Sequence, residues 1–374
     1  MKQLLHAVQE LDADILAFIE KGVAPRDADA FNLLALRVFK LQFHHIPVYR
    51  GYCERRGRIP DSIASWEDIP ALFTDAFKEA DLSLLPEAAV RTFMTSGTTS
   101  PGERGRIHYD EAGLSLMDAT IRIAASDMLF PDGMQAAVLV IAPPPDMAPH
   151  MIMSYGMDRL RQYFGLPHSG FFIGENGFDI PAFIAALGRC EAEGAPAAVC
   201  GGTAGLVNFF NYCHDRGLRW HLPPGSRCLD AGGFKAGRRQ PGRDAFLVCC
   251  ENVLGIDRNL CVNLLGMTET ASQFYDNTLQ QHWQGLHGPT VKISPAWTRT
   301  IAVDPDTLEP LPRGETGLLR YFDLANRGHI CAIQTDDLGR SVDGGFEILG
   351  RARDDQTRGC SLTIDEMTRN MGSC

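Results

Sequence analysis

No apolar run in this chain reaches the ~18 residues that a membrane-spanning helix needs, although 45% of its 374 residues are hydrophobic. The first twenty residues also lack the cationic start, apolar core and small-residue cleavage site of a secretion signal. Cysteine is present 11 times but never as a CxxC pair or at zinc-like spacing, which argues against a disulfide framework or a structural zinc site. Reduced thiols in a cytoplasmic protein are expected, with the adjacent Cys249 and Cys250 as buried spectators. Positive charge is short as well: 35 Lys and Arg against 46 Asp and Glu leave a net charge of −11. That balance excludes nucleic acid or an anionic membrane as the main partner, while leaving room for a local cationic pocket around a phosphate.

The length suggests two or three structural units at roughly 150 residues per domain, and no repeat or low-complexity tract interrupts them. Residues 1–80 read as an N-terminal helical segment. Leu4, Val8, Leu11, Ile15 and Ile19 form one helical stripe, and Phe31, Leu34, Val38 and Leu41 continue that spacing until Pro47 breaks it. Residues 81–290 read as an α/β core. Ala136–Ala142 is a continuous apolar run stopped by three prolines, as expected of a buried parallel strand. Ala197–Cys200, Arg227–Leu229 and Asn259–Leu265 each lead into a glycine-bearing turn, and the pattern predicts a helix after each turn. Residues 291–374 read as a smaller β-rich subdomain with a short polar tail. Its strand candidates are Thr300–Val303, Gly317–Tyr321 and Gly345–Leu349.

The most informative stretch is Thr95-Ser96-Gly97-Thr98-Thr99-Ser100-Pro101-Gly102, which follows the strand-like Thr92-Phe93-Met94. Glycines let a backbone approach a ligand closely, and hydroxyls with exposed N–H groups donate to phosphate oxygens. The stretch is neither GxxxxGK[ST] nor GxGxxG; taken alone it also reads as a surface loop. Further on come Gly232-Gly233-Phe234-Lys235, Gly266-Met267-Thr268-Glu269, Pro312-Arg313-Gly314-Glu315-Thr316-Gly317, Thr335-Asp336-Asp337-Leu338-Gly339 and Gly350-Arg351. Taken singly, Glu269 would be a solvated helix-start acid, Asp337 a turn residue and Arg351 a surface arginine.

In this combination and order the chain resembles the adenylate-forming superfamily of acyl-CoA synthetases, peptide-synthetase adenylation domains and luciferases. The resemblance implies an α/β fold with parallel-rich sheets flanked by helices, plus a smaller β unit. It also implies ATP and Mg2+ as cofactors. Thr95, Ser96, Gly97, Thr98 and Thr99 match the loop around the β- and γ-phosphates, and Gly232, Gly233 and Phe234 the segment against the adenine. The same resemblance implies that Thr268 faces the α-phosphate and Glu269 holds the metal, and that Asp337 and Arg351 contact the ribose. Such residues suit a reaction in which one anion attacks a polyanion. In place of the lysine that usually follows the loop proline stand Glu103-Arg104-Gly105-Arg106, and Leu265 stands where an aromatic is usual. Full-length members add a mobile C-terminal domain with a catalytic lysine; here that domain is expected to be absent.

The short length, with the ending Arg358-Gly359-Cys360-Ser361-Leu362, looks like the bacterial acyl-protein synthetases. These activate a fatty acid and move the acyl group to a cysteine for a downstream acyl reductase. Cys360 is the matching nucleophile, attacking as thiolate; a buried small hydrophobe is the alternative. The chain also resembles the truncated adenylases of phenazine antibiotic biosynthesis, in the griseoluteic acid pathway. The expectation is therefore ATP-dependent activation of a small-molecule carboxylic acid to an acyl-AMP, with an aromatic acid such as a phenazine carboxylate favoured. Tyr155, Tyr163, Phe164, Phe171, Phe172 and Phe178 offer rings for it, with His150 at the acyl gate and Tyr155 in the pocket. The alternatives are a fatty-acid synthetase that transfers to Cys360, and a ligand-binding protein without catalysis.

Overall fold

The computed structural model describes residues 2–24, 26–95, 104–232 and 242–352. The chain divides into two compact units interleaved in sequence: Met1–Ile123 with Met267–Ser272 and Ile293–Cys374, and Ala124–Gly266 with Gln273–Lys292. Among the described residues no helix is long and apolar enough to cross a membrane.

The first unit begins with helices. Lys2–Ile19 buries Val8, Leu11, Ile15 and Ile19, the stripe expected from the 3.6-residue period. Asp27 caps the next helix, Ala28–His45, by accepting from the Ala30 amide at 3.0 Å. That helix buries Phe31, Leu34, Val38 and Phe39. The helix ends at His45, just before Pro47, as the sequence suggests. Pro47 opens a third helix, Pro47–Arg55, where its fixed φ suits the first position and its missing N–H costs nothing.

The sheet of this unit is an antiparallel meander through Thr298–Val303, Gly317–Asp323, Ala332–Val342 and Gly345–Arg351. Leu72–Phe73 joins it in parallel at Ile333 and Gln334. Thr335–Gly339, which alone reads as turn material, lies inside the 11-residue strand Ala332–Val342. Pairing on both sides overrides the weak strand propensity of Thr-Asp-Asp, and the Thr335 hydroxyl is satisfied by the Leu319 carbonyl at 2.9 Å. A separate hairpin pairs Arg91–Met94 with Arg106–Tyr109.

The second unit is built on a sheet in the order Phe274–Tyr275, Cys261–Leu265, Arg227–Ala231, Ala197–Gly202, Ala137–Ile141, Gly170–Phe171. It is parallel except for Phe274–Tyr275. Ala137–Ile141 is buried along its whole length, as its unbroken apolar sequence requires. Helices Ile180–Glu193 and Thr203–Arg216 lay Phe183, Leu187, Leu206 and Phe209 onto the sheet. Each such side chain contributes ~1.5–3 kcal/mol by leaving water. The helix expected directly after Cys261–Leu265 does not form: turns and bends follow before Phe274–Tyr275. Glu269 is consequently not a helix-start acid.

Candidate active site

Glu269 sits on that irregular stretch, within the first unit. Its own carbonyl oxygen accepts from the Asn326 side-chain amide at 2.9 Å and lies 3.3 Å from His329 Nε2. Its carboxyl is raised from the ordinary 4.5 to about 7. Burial is the main cause, opposed by the cations Lys78 and Arg351 and assisted by Asp75. A carboxyl perturbed in this way marks a candidate functional group, and any cation it holds would have to displace its proton. Burial likewise drives His329 down to about 3, so its ring is neutral. A carbonyl oxygen only accepts, so Nε2 carries the proton.

Asp337 and Arg351 are register partners on the paired strands Ala332–Val342 and Gly345–Arg351. Arg351 Nε donates to Asp337 Oδ1 at 3.0 Å, with Asp337 largely buried and the arginine 70% exposed. One oxygen of Asp337 is thus engaged, and the arginine offers its remaining N–H groups outward. Thr95 lies at the base of the hydroxyl-rich stretch. Its amide donates to the Gly105 carbonyl at 3.0 Å, and its hydroxyl accepts from the Gly105 amide at 2.9 Å. A Cβ on Gly105 would lie 2.9 Å from the Phe77 carbonyl oxygen, so this closure packs directly on the short helix Ala76–Glu79. Arg104 and Arg106 beside it are exposed.

Lys78 on that short helix was not singled out from the sequence. Its Nζ donates to Asp75 at 2.5 Å, and it acts electrostatically on Glu269. Nothing in Asp-Ala-Phe-Lys-Glu distinguishes it from a surface lysine. Its location follows from the pairing of Leu72–Phe73 with the far strand and from the Thr74 amide bonded to the Gln334 carbonyl at 3.1 Å.

In the second unit Gly232 takes φ +109, a conformation that suits glycine. Its carbonyl accepts from Asn263 Nδ2 at 2.8 Å. Behind it Asn263 also meets Asp230 and the buried Lys292, which pairs with Asp276 at 2.8 Å. His150 is exposed at the end of a loop. Tyr155 is buried, with the Arg159 guanidinium 5.0 Å from its ring centre. Three of the rings named as candidates to stack on a flat substrate also pack within the protein. Phe164 stacks on Phe130 at 4.4 Å, and Phe172 and Phe178 pack edge-on against Phe183. Ser96, Gly97, Thr98, Thr99, Gly233, Phe234 and Cys360 lie outside the described residues.

Among the described residues no cluster of three or more His, Cys, Asp or Glu side chains could enclose a metal ion. Mg2+ nevertheless fits the donor set, because it is commonly held by one or two carboxylates with substrate phosphates and water. Glu269 is a carboxylate that would serve in such a set.

The architecture is that of the adenylate-forming ligases. It is similar to 2-hydroxyisobutyryl-CoA ligase in complex with 2-HIB-AMP and CoA, at a TM-score of 0.64 and 15% identity over 89% of this chain and 77% of that one. ATP-bound MatB from Rhodopseudomonas palustris is similar at a TM-score of 0.50 and 15% identity, over 80% and 56%. Residues 8–368 match the acyl-protein synthetase family LuxE, and the chain belongs to that family; it is a ligase of the acyl-adenylating class. Two long-chain-fatty-acid–luciferin-component ligases are similar in sequence. The one from Vibrio harveyi is 23% identical over 337 residues, covering 88% of this chain and 85% of its own. The one from Aliivibrio fischeri is 20% identical over 342 residues, covering 88% and 86%.

Proposed function

We propose that this protein uses ATP to activate a long-chain fatty acid as its acyl-adenylate and passes the acyl group to a thiol. The observation that carries this reading is that one compact unit holds Glu269, anchored through its carbonyl by Asn326, together with the register-paired Asp337 and Arg351, in the order the family's motifs require. The substrate carboxylate oxygen bonds to the α-phosphorus of ATP while the bond from that phosphorus to the pyrophosphate oxygen breaks. Mg2+, when bound, supplies charge neutralisation on the phosphates. Glu269 would hold that ion, with Thr268 beside it at the α-phosphate. Asp337, through its uncommitted oxygen, would accept from a ribose hydroxyl, and Arg351 would bind there too. Thr95, Ser96, Gly97, Thr98 and Thr99 would donate to the phosphate tail, and Gly232, Gly233 and Phe234 would line the adenine. Lys78 and Arg351 oppose the build-up of negative charge when two anions meet.

The fatty-acid class is favoured over an aromatic acid on two grounds. The curated relatives carry long-chain fatty acids in their names, and Phe164, Phe172 and Phe178 are occupied by core packing. Cys360 is the proposed acceptor, attacking the acyl carbon as thiolate and releasing AMP; a downstream acyl reductase would then consume the thioester.

Exchange of labelled pyrophosphate into ATP, screened over long-chain, benzoic and phenazine carboxylic acids, tests the reading. Fatty acids should support exchange, Glu269→Ala should abolish it, and the Cys360 peptide should gain the acyl mass. Exchange with the phenazine acid alone would reassign the substrate. Nucleotide binding without exchange for any acid would leave a binding protein.

A further inference from the structure

Side chains of the segment Asp323–His329 hold the main chain around Glu269 at successive polar groups. Asn326 is fully buried and uses both ends of its amide. Nδ2 donates to the carbonyls of Glu269 and Ile330 at 2.9 and 3.0 Å, and Oδ1 accepts from the Ala271 amide at 2.7 Å. His329 Nε2 reaches the same Glu269 carbonyl, its ring packed edge-on by Phe77 and Tyr109 at 6.2 and 5.2 Å. Asp323 accepts from the Ser272 amide at 2.9 Å and from its hydroxyl at 2.8 Å, while Thr120 donates to the Ala271 carbonyl at 2.9 Å. Gln42, from the second helix, locks the segment itself: it donates to the Asn326 carbonyl at 2.8 Å and accepts from the Cys331 amide at 3.1 Å.

We propose that Asn326, assisted by His329, is a positioning residue that fixes the Glu269 main chain so that the carboxylate meets a metal ion in one geometry. The inference rests on the reading of Glu269 as the Mg2+ carboxylate. Two of the three Asn326 hydrogen bonds go to the Glu269–Ala271 stretch, so the amide spends its bonding capacity there. His329 Nδ1, by contrast, is buried without a hydrogen bond among the described residues. An orphaned buried acceptor is costly, and here it accompanies the contact of the other ring nitrogen with Glu269. A metal with a single protein carboxylate has no second protein ligand to correct a misplaced first one, and groups behind a ligand commonly change metal affinity about 10- to 100-fold.

The test is Mn2+ binding to the full chain in the presence of α,β-methylene-ATP, followed by electron paramagnetic resonance. Glu269→Gln should weaken binding at least about tenfold, and Asn326→Ala and His329→Leu by about tenfold. His329→Gln, which keeps an N–H donor, should restore it. Binding of the analogue in EDTA should change little, while the thermal midpoint of Asn326→Ala should fall because buried carbonyls and the Ala271 amide lose their partner. A folded Asn326→Ala with unchanged Mn2+ affinity, alongside a weakened Glu269→Gln, overturns the positioning role. Should Asn326→Ala not fold, equal affinities for His329→Leu and His329→Gln overturn it. Unchanged affinity in Glu269→Gln removes the metal reading, and this inference with it.

Discussion

At the residue scale the most consequential property is the raised carboxyl of Glu269. Because its folded value of about 7 exceeds the ordinary 4.5, the folded state takes up a proton that the unfolded state does not. Its stabilising effect is therefore complete below pH 4.5 and is lost as pH rises through 7. Between pH 5 and 8 this one group should cost the ligand-free protein about 2 kcal/mol. Urea midpoints of the wild type and Glu269→Gln, compared at both pH values, check this. The glutamine variant should lack that part of the slope, and parallel slopes would mean an ordinary carboxyl. The same proton should compete with a metal ion, so Mn2+ affinity should fall as pH drops below 7.

At the scale of elements, Gly105 shows how a turn without a motif holds the base of the proposed phosphate loop. Gly105→Ala would put a methyl group 2.9 Å from the Phe77 carbonyl oxygen and 3.1 Å from Thr95 Cγ2. Backbone does not yield as a flexible side-chain end does, so a loss of about 1–3 kcal/mol is expected, with a raised KM for ATP. Thermal midpoints and exchange kinetics measure both, and an unchanged KM would separate this closure from nucleotide binding. The sequence made the parallel strands legible because Ala137–Ile141 is one uninterrupted apolar run. It did not reveal the strand around Asp337, since Thr335-Asp336-Asp337 is locally turn-like and becomes strand through its partners. It also hid Lys78, whose location depends on pairing between Leu72–Phe73 and a strand some 260 residues later, shown by the register Leu72↔Ile333.

At the scale of the whole chain, the first unit gathers parts that are far apart in sequence, and Arg327 shows what that demands energetically. Its guanidinium is 1% exposed. Nε and Nη2 donate to Asp12 at 2.5 and 2.9 Å, and Nη1 and Nη2 to Asp110 at 3.0 and 3.1 Å. One planar fork thereby ties the first helix to the end of the hairpin and to the segment carrying Asn326, which no local pattern could announce. The two carboxyls respond differently to the same arginine. Asp12 is raised because burial, with repulsion from Asp110, outweighs its pairing with Arg327, whereas Asp110 is lowered because its burial is outweighed by the hydrogen bond and charge of Arg327, joined by the Gly113 amide at 2.7 Å. Arg327→Ala would leave both acids buried without their cation, at a cost of about 3–5 kcal/mol near pH 7. In that variant both carboxyls should titrate above their unfolded values. The deficit should then shrink as pH falls and they become neutral, because an acid without charge no longer needs the cation. Denaturant titrations of Arg327→Ala and wild type at pH 7.5 and pH 4.5 measure this. A deficit that stays constant on acidification would show that Arg327 contributes through packing of its carbon stem rather than through its charge.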